Sequence, residues 1–350
     1  MNKIKVIEQD VIFLSYDEPN AEKNYADLCN KLPWAKRVHG VKGSDAAHKA
    51  CAALSETEYF VTVDADNIVD PEFFNVEIDL DELNLTPDHV FSWCGKVHVN
   101  GLMYGNGGLK MWTRKFVNNM RTHEASNGSD ETAVEFCFDP KYFAMHNCYS
   151  TTYPNGSVEQ AWRAGFREGV KMCLDRGSRI TLEEFKDRVN GRNYDHLCIW
   201  QSVGADVENG YWAMYGARLG AFMIMLEGWD HKYVQDFDML EQLWDMFSKE
   251  DPKEGCKQIE EALTKFGFRI TDRSVPATTD DPSYTGPERV TISALYKPEK
   301  ISIQGGGAEF VKNRKGKVTA PPAPKDATDS QISKMLDAVS KKLLLNIKSK

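Results

Sequence analysis

The sequence predicts an α/β protein built on a parallel, doubly wound sheet, and three observations carry that prediction. Apolar runs at Val11–Tyr16, Arg37–Val41 and Tyr59–Val63 read as strands, separated by helical stretches over residues 20–31 and 44–55. The connections between them are short, as right-handed parallel crossovers require. The third strand stops abruptly in Asp64-Ala65-Asp66-Asn67, which stands two carboxylates at a strand's carboxyl end. Open α/β sheets bind their ligands just beyond such ends.

Taken in order, the first strand is closed by Asp17-Glu18-Pro19-Asn20, and Asn20 is placed to cap the helix that follows. The second helix is alanine-rich. After the acids, Pro71 and the pair Phe73-Phe74 turn the chain away. Val90–Trp93 and Val97–Met103 are expected strands, followed by a glycine-dense loop over 104–109 and a helix around 112–121. Val134–Phe138 is expected as a further strand, with Glu135 and Asp139 on one face. Residues 157–174 read as a helix whose Arg163, Arg167 and Lys171 recur at i, i+4 and i+8. The stretch from 181 to 270 is mostly helical and rich in tryptophan. Beyond it, Gly305–Gly307 and Pro321-Pro322-Ala323-Pro324 mark a polar linker. A last amphipathic helix over 329–347 gathers Ile332, Met335, Leu336, Val339, Leu343 and Leu344 on one side.

Composition narrows the classes. The chain has 350 residues, 41% of them apolar, enough to bury a substantial core. It contains no apolar run of membrane-spanning length, and MNKIKVIEQD lacks the apolar core of a signal peptide. Its 8 cysteines show no C-x-x-C pairing, so reduced thiols in a cytoplasmic protein are expected. The net charge of −9 argues against indiscriminate nucleic-acid binding, although local patches decide phosphate contacts. One such patch is the tail, where Lys334, Lys341, Lys342, Lys348 and Lys350 face only Asp337 over residues 331–350. Lys312, Arg314, Lys315 and Lys317 precede it. This tail is expected either to contact a DNA backbone or to dock by its apolar side with the lysines in water.

The paired acids suggest a chemistry. Asp64 and Asp66, one residue apart, suit a hard divalent cation, Mn²⁺ or Mg²⁺, which fills its other positions with water and phosphate. Such an ion absorbs the charge of a departing diphosphate. The alternative is an ordinary strand-to-loop turn, where Asp and Asn are favoured for local reasons. Asp79/Asp81 and Asp236/Asp238 share the D-x-D spacing but follow no apolar strand; they read as a solvated loop and a helix entry.

Three motifs together resemble the GT-A glycosyltransferases, within them the large inverting family that uses nucleotide-sugar donors. Tyr16-Asp17-Glu18 resembles that family's Tyr-Asn-Glu beside the nucleotide base. Gly43-Ser44-Asp45 resembles its Gly-Ser-Thr-Asp turn, and Asp64-Ala65-Asp66 its metal-binding D-x-D. These cover about the first 75 residues. The acids that usually follow the second strand are absent, because His39-Gly40-Val41-Lys42 stands there, so Asp17 and Asp45 become the candidates for reading the base. Gln160-x-x-Arg163 is only a faint echo of the family's Q-x-x-R-W element. Over most of the chain, SYDEPNAEKNYADL, AHKA, GLMYGNGGLKMW, QAWRAGFREGVKM and DVENGYWAMYGARLG resemble a group of tailed-phage GT-A enzymes. Those enzymes add sugars to hydroxymethylated pyrimidines in the phage's own DNA.

The resemblance implies a GT-A domain over 1–178, a helical aromatic-rich extension over 179–270, an irregular linker over 271–328 and the basic helix over 329–350. It implies transfer of a sugar such as arabinose from a UDP-sugar to 5-hydroxymethylcytosine in double-stranded DNA, within an infected bacterial cell. Tyr16, Asp17, Glu18, Asp45, Lys49, Arg163 and Arg167 are then the donor-binding candidates. Trp93, Tyr104, Asn106 and Trp112, around the glycine loop, are candidates for stacking on the acceptor; the alternative is a tight turn with core aromatics. Glu135, then Asp139, are candidates for the general base of an inverting transfer. His146, His196 and His231 are equal candidates for a third metal ligand. Two other functions compete: a GT-A enzyme acting on a lipid-linked or surface glycan, and a DNA-binding or replisome-associated module without turnover.

Overall fold

In the computed structural model, residues 3–104, 108–120, 122, 136–175, 178–181, 184–185, 189, 191–225, 229–265, 268, 270 and 303–305 are described. They fall into two compact units, one ending at Gln160 and including 303–305, the other beginning at Ala161. Apart from 303–305, the expected linker and the basic C-terminal helix lie outside the described residues, as does the N-terminal part of the expected 134–138 strand.

The first unit opens with β1 (Lys3–Lys5), β2 (Asp10–Ser15), α1 (Ala21–Lys31), β3 (Lys36–His39), α2 (Ser44–Leu54) and β4 (Tyr59–Asp64). It continues through β5 (Asn67–Val69), β6 (Glu77–Asp79), β7 (Val90–Val97), β8 (Met103–Tyr104), β9 (Leu109–Thr113), α3 (Arg114–Asn119) and β10 (Tyr142–Thr152). A last strand, β11 (Ile303–Gly305), adds to the edge of β10. The main sheet has the order β11-β10-β7-β9-β4-β2-β3, with β5 also on β10 and β8 on β7. β1 and β6 form a separate ribbon.

The expected β-α-β-α-β opening is present, and β2 pairs in parallel with both β3 and β4. Beyond β4 the sheet is mixed rather than mostly parallel. β9 runs antiparallel between β4 and β7, while β10 returns parallel to β7. The physical reason is connection length: β7, β8 and β9 follow one another without a helix, and short links join only antiparallel neighbours. Alternate residues of β2 and β4 serve two apolar layers, Val11, Phe13, Val61 and Val63 on one face and Ile12 and Phe60 on the other. Burial on both faces makes these strands continuous apolar runs, and therefore legible.

Four local expectations change. Asn20 makes no side-chain cap on α1; its amide donates to the Tyr153 carbonyl at 3.2 Å instead. The 112–121 helix is strand up to Thr113, whose hydroxyl accepts from the Phe116 amide at 3.0 Å and so starts α3 only there. β7 ends at Val97, leaving a two-residue β8 in place of a strand over 97–103. Phe136–Phe138 is a 3-10 turn, so the strand alternation expected to align Glu135 with Asp139 does not hold. The real strand is β10, an 11-residue element whose pairing to β7 is interrupted by bulges around Cys148. Asp236 does open a helix, its carboxylate accepting from the Asp238 and Met239 amides at 3.0 and 3.2 Å.

The second unit takes up α4 (Val158–Met172) from Ala161 and adds α5 (Gly191–Ser202), α6 (Gly210–Ile224), α7 (Phe237–Phe247) and α8 (Pro252–Lys265). Two G-x-x-x-G stretches face each other across α4 and α6. A Cβ on Gly165 or Gly169 would overlap the carbonyl of Ala213 or Ala217, and one on Gly216 or Gly220 the carbonyl of Trp162 or Phe166. The two backbones therefore touch, with Trp162 and Phe166 stacked beside them at 5.0 Å between ring centroids. Among the described residues, no helix is long and apolar enough to cross a membrane.

Because the added methyl meets backbone rather than a movable side chain, Gly216→Ala should lower unfolding free energy by about 1–3 kcal/mol or more. Denaturant unfolding measures this. A loss below about 0.5 kcal/mol, ordinary for a surface substitution, would mean that the two helices separate freely.

Candidate active site at the sheet switch point

From β2 the chain passes first to β3 on one side and then to β4 on the other. The reversal makes the gap beyond the carboxyl ends of β2 and β4 a topological switch point, where ligands of open α/β sheets lie. Tyr16, Asp17 and Glu18 follow β2 there, and Asp64, Ala65 and Asp66 close β4. The structure thus brings together five of the residues singled out from the sequence.

The acidic turn is held by its backbone. The Asp64 amide donates to Gly108 O at 3.0 Å, the Ala65 carbonyl accepts from Asn24 at 2.8 Å, and the Asp66 carbonyl accepts from the Tyr153 amide at 2.7 Å. Gly108 must be glycine for this approach, since a Cβ there would stand 2.7 Å from the Asp64 Cβ and overlap the Asn67 amide. Asn67, 2% exposed, ties the turn further. Its Nδ2 donates to Asp66 Oδ1 at 2.8 Å, and its Oδ1 accepts from Thr152 Oγ1 at 3.1 Å.

The electrostatics are those of a site short of positive charge. Burial pushes the Asp66 carboxyl up to about 7, with Asp64 and then Glu18 adding repulsion against the bond from Asn67. Glu18 is oriented by the Tyr16 amide, which donates to its Oε2 at 2.8 Å. Lys110 on β9 faces Asp64 at 3.5 Å. Burial works most strongly against its ammonium, but Asp64, Tyr142 and Asp66 together outweigh that and leave its pKa above the ordinary lysine value. His48, on α2, is nine-tenths buried, and that burial lowers its pKa below the ordinary histidine value; its Nδ1 donates to Ser44 O at 2.8 Å, and its ring meets Trp112 edge-on.

Tyr16 leaves β2 with 46% of its surface exposed, an aromatic face open at the switch point. Beside it, Ser15 Oγ and His39 Nδ1 lie 3.0 Å apart, and Arg37 Nε donates to the same hydroxyl at 2.9 Å. Asp45 and Lys49 pair with each other along α2 at 2.6 Å. Arg163 and Arg167 belong to the second unit, where both guanidinium groups lie over the Phe237 ring at 5.4 and 5.3 Å. Trp93 and Trp112 are core residues: Trp93 packs edge-on against Phe73, and Trp112 donates to Thr62 at 2.9 Å. Tyr104 is also buried, on β8. Asn106 and Glu135 lie outside the described residues.

Asp139 is not brought to the acids. It precedes β10, and β10 runs parallel to β7, starting beside Val90. β9 lies antiparallel to both β7 and β4, so β10 and β4 point the same way and Asp139 stands at the amino edge of the sheet. The 6-residue β4 spans about 20 Å, which separates Asp139 from the carboxyl edge. There Asp139 Oδ1 accepts from the Lys141 amide at 2.8 Å beside the Asp88–Lys141 pair.

Gly108, Lys110, Asn67 and Tyr153 were not singled out from the sequence. Asn67 directly follows the acids, and Gly108 lies in the glycine-dense 104–109 loop, so these two had a local signal. Of the histidines considered as a third ligand, His146 lies within β10, and His196 and His231 belong to the second unit. Among the described residues, no three His, Cys, Asp or Glu side chains converge as a ready metal cage.

The raised Asp66 carboxyl yields a pH-dependent test. Its folded pKa of about 7 lies above the ordinary carboxylate value, so the group opposes folding fully above pH 7 and ceases to do so as pH falls below 4. Asp66→Asn should therefore melt higher than the parent at pH 8 in chelator, with the gap closing toward pH 4. Thermal denaturation across that range checks it; a gap independent of pH would remove the assignment.

No protein-family profile matches the chain, and no curated protein matches it. Among solved structures, one similar chain is described as a glycosyltransferase involved in the glycosylation of the major capsid of PBCV-1. It is 16% identical with a TM-score of 0.21, over 31% of this chain and 62% of that one, less than two thirds of its length. A superposition at that level carries no argument about fold or activity.

Proposed function

We propose that the chain is a GT-A glycosyltransferase that takes a UDP-sugar at the switch point between β2 and β4. The observation that carries this reading is the pair Asp64 and Asp66 at the carboxyl end of β4, both half-buried, with Asp64 repelling the raised carboxyl of Asp66. The three motifs that resemble the family add to it, since two of them, Tyr16-Asp17-Glu18 and Asp64-Ala65-Asp66, flank that one gap.

The donor set fits a hard cation. It is made of carboxylate oxygens, and their mutual repulsion is what a divalent ion relieves. Asp64 and Asp66 would hold Mn²⁺ or Mg²⁺, which when bound supplies positive charge to a leaving diphosphate. The remaining roles fall to side chains of this chain. Tyr16 offers an exposed ring on which a base can stack. Asn67 holds Asp66 in one orientation, and the Gly108 and Tyr153 backbones keep the two acids in register. For the base that takes the acceptor's proton we keep Glu135, the first candidate from the sequence.

For the acceptor we propose the hydroxymethyl group of 5-hydroxymethylcytosine in duplex DNA. The support is the resemblance over most of the chain to tailed-phage GT-A enzymes, together with the lysines of residues 331–350. The 5-substituent of a pyrimidine already projects into the major groove, within reach of an enzyme on the duplex.

Transfer from a panel of UDP-sugars to hydroxymethylated and plain duplexes, with and without Mn²⁺, tests the reading. Turnover should require both the metal and the hydroxymethyl group. Asp64→Asn should lower kcat by about two orders of magnitude, about 3 kcal/mol in activation free energy, while the fold is retained. Full activity in excess chelator would remove the metal, and equal activity on plain DNA would remove the acceptor. Glu135→Gln should lower turnover by ~10²–10⁴-fold with UDP-sugar affinity unchanged; unaltered turnover would place the base elsewhere.

A further inference from the structure

We infer that Lys110 is a resident counter-ion at the acidic turn, which a divalent cation must displace from Asp64 in order to bind. The inference rests on the reading of Asp64 and Asp66 as metal ligands and adds a residue that controls their occupancy.

The position of Lys110 is set by the sheet. On β9 it stands opposite Thr62 of β4 and Ser92 of β7, so its side chain rises from the middle of the sheet toward the end of β4. There its Nζ lies 3.5 Å from Asp64 Oδ2. The lysine side chain is 16% exposed and the aspartate 40%. The ammonium thus approaches from the protein side, and the carboxylate keeps an open side toward solvent from which a dissolved cation can arrive.

The pair is loose by the standard of this chain. Lys36 meets Asp10 at 2.9 Å and Lys49 meets Asp45 at 2.6 Å, against 3.5 Å here. Such spacing leaves a carboxylate partly neutralised but not saturated with hydrogen bonds. Asp66, the second acid, is bonded by the neutral amide of Asn67. Among the described residues, the Lys110 ammonium is the cation paired with a turn that holds two acids and has Glu18 nearby. That suffices to hold the turn together before a ligand arrives, and it leaves a deficit that a divalent ion carrying a diphosphate would fill.

Like charges at this range repel strongly in a partly buried setting. Metal binding to the protein alone is then weakened by Lys110, and the diphosphate restores it by neutralising both cations. Ordered binding follows, with the metal arriving on the nucleotide rather than before it.

The test measures Mn²⁺ binding directly, by the loss of the free-ion paramagnetic resonance signal, on the full chain at pH 8 without nucleotide. Lys110→Met keeps the apolar stem and removes the charge, and should bind Mn²⁺ at least about tenfold more tightly than the parent. Lys110→Gln, which keeps a donor toward Asp64, should do the same, and guards against a folding defect in the first variant. Lys110→Arg keeps the charge and should bind like the parent. Adding UDP should tighten binding to the parent more than to Lys110→Met. If the parent binds Mn²⁺ and the uncharged variants bind it equally or less tightly, Lys110 is structural and the inference is overturned, with the metal reading intact. If neither parent nor variants bind Mn²⁺ even with UDP, the metal reading falls and takes the inference with it.

Discussion

Three consecutive residues at the end of β4 have their backbone gripped from three directions. The stretch before β9 accepts the Asp64 amide, α1 reaches the Ala65 carbonyl through Asn24, and the chain leaving β10 donates to the Asp66 carbonyl. Each bond joins elements far apart in sequence. Buried backbone groups cannot be left unpaired without a cost of a kcal/mol or more, on the order of the net value of a hydrogen bond. The acids therefore stand where the closure of the whole first unit puts them. Gly108 and the amide of Asn67 are parts of the same constraint, since they fill the space that the close approach leaves.

Holding two carboxylates in that position has an electrostatic consequence. Their backbone is fixed, so they relieve their repulsion only through protons, Lys110 or a bound cation. The raised Asp66 carboxyl records the first of these and the elevated Lys110 ammonium the second. Perturbed groups gathered in a sheet crevice are a frequent mark of function, although structural ion pairs perturb as well. What the Lys110–Asp64 pair adds is its place, an ammonium on the protein side of a carboxylate that keeps an open side toward solvent.

The second unit is organised by a different constraint. The glycines of α4 and α6 allow backbone contact, and Arg218, fully buried on α6, ties the same helix to its neighbours. Its guanidinium donates to Gln201 O of α5 at 2.8 Å, to Cys256 O of α8 at 3.1 Å, and pairs with Glu260 at 3.2 Å. A charge removed from water in this way is tolerated because its donors are spent on fixed acceptors. Sequence reading found the basic row of α4 but not the small-residue face, because glycine spacing announces a helix contact only when the partner is known.

The amino-acid sequence by itself determined the strands buried on both faces, the helices that cross between them, and the strand-end acids. These rest on local signals: continuous apolar runs, 3.6-residue periodicity, and acids where an apolar run stops. Tertiary structure alone decided the antiparallel insertion of β9, the bulged β10, and the separation of Asp139 from Asp64 and Asp66. It also decided that Trp93 and Trp112 are core, that Asp45 and Lys49 neutralise each other, and that Lys110 serves the acidic turn. The reason is that side chains meet through strand register, and register is a relation between segments that neither segment carries alone. Lys110 reads as one more surface lysine until β9 is placed between β4 and β7; only then does its ammonium meet Asp64.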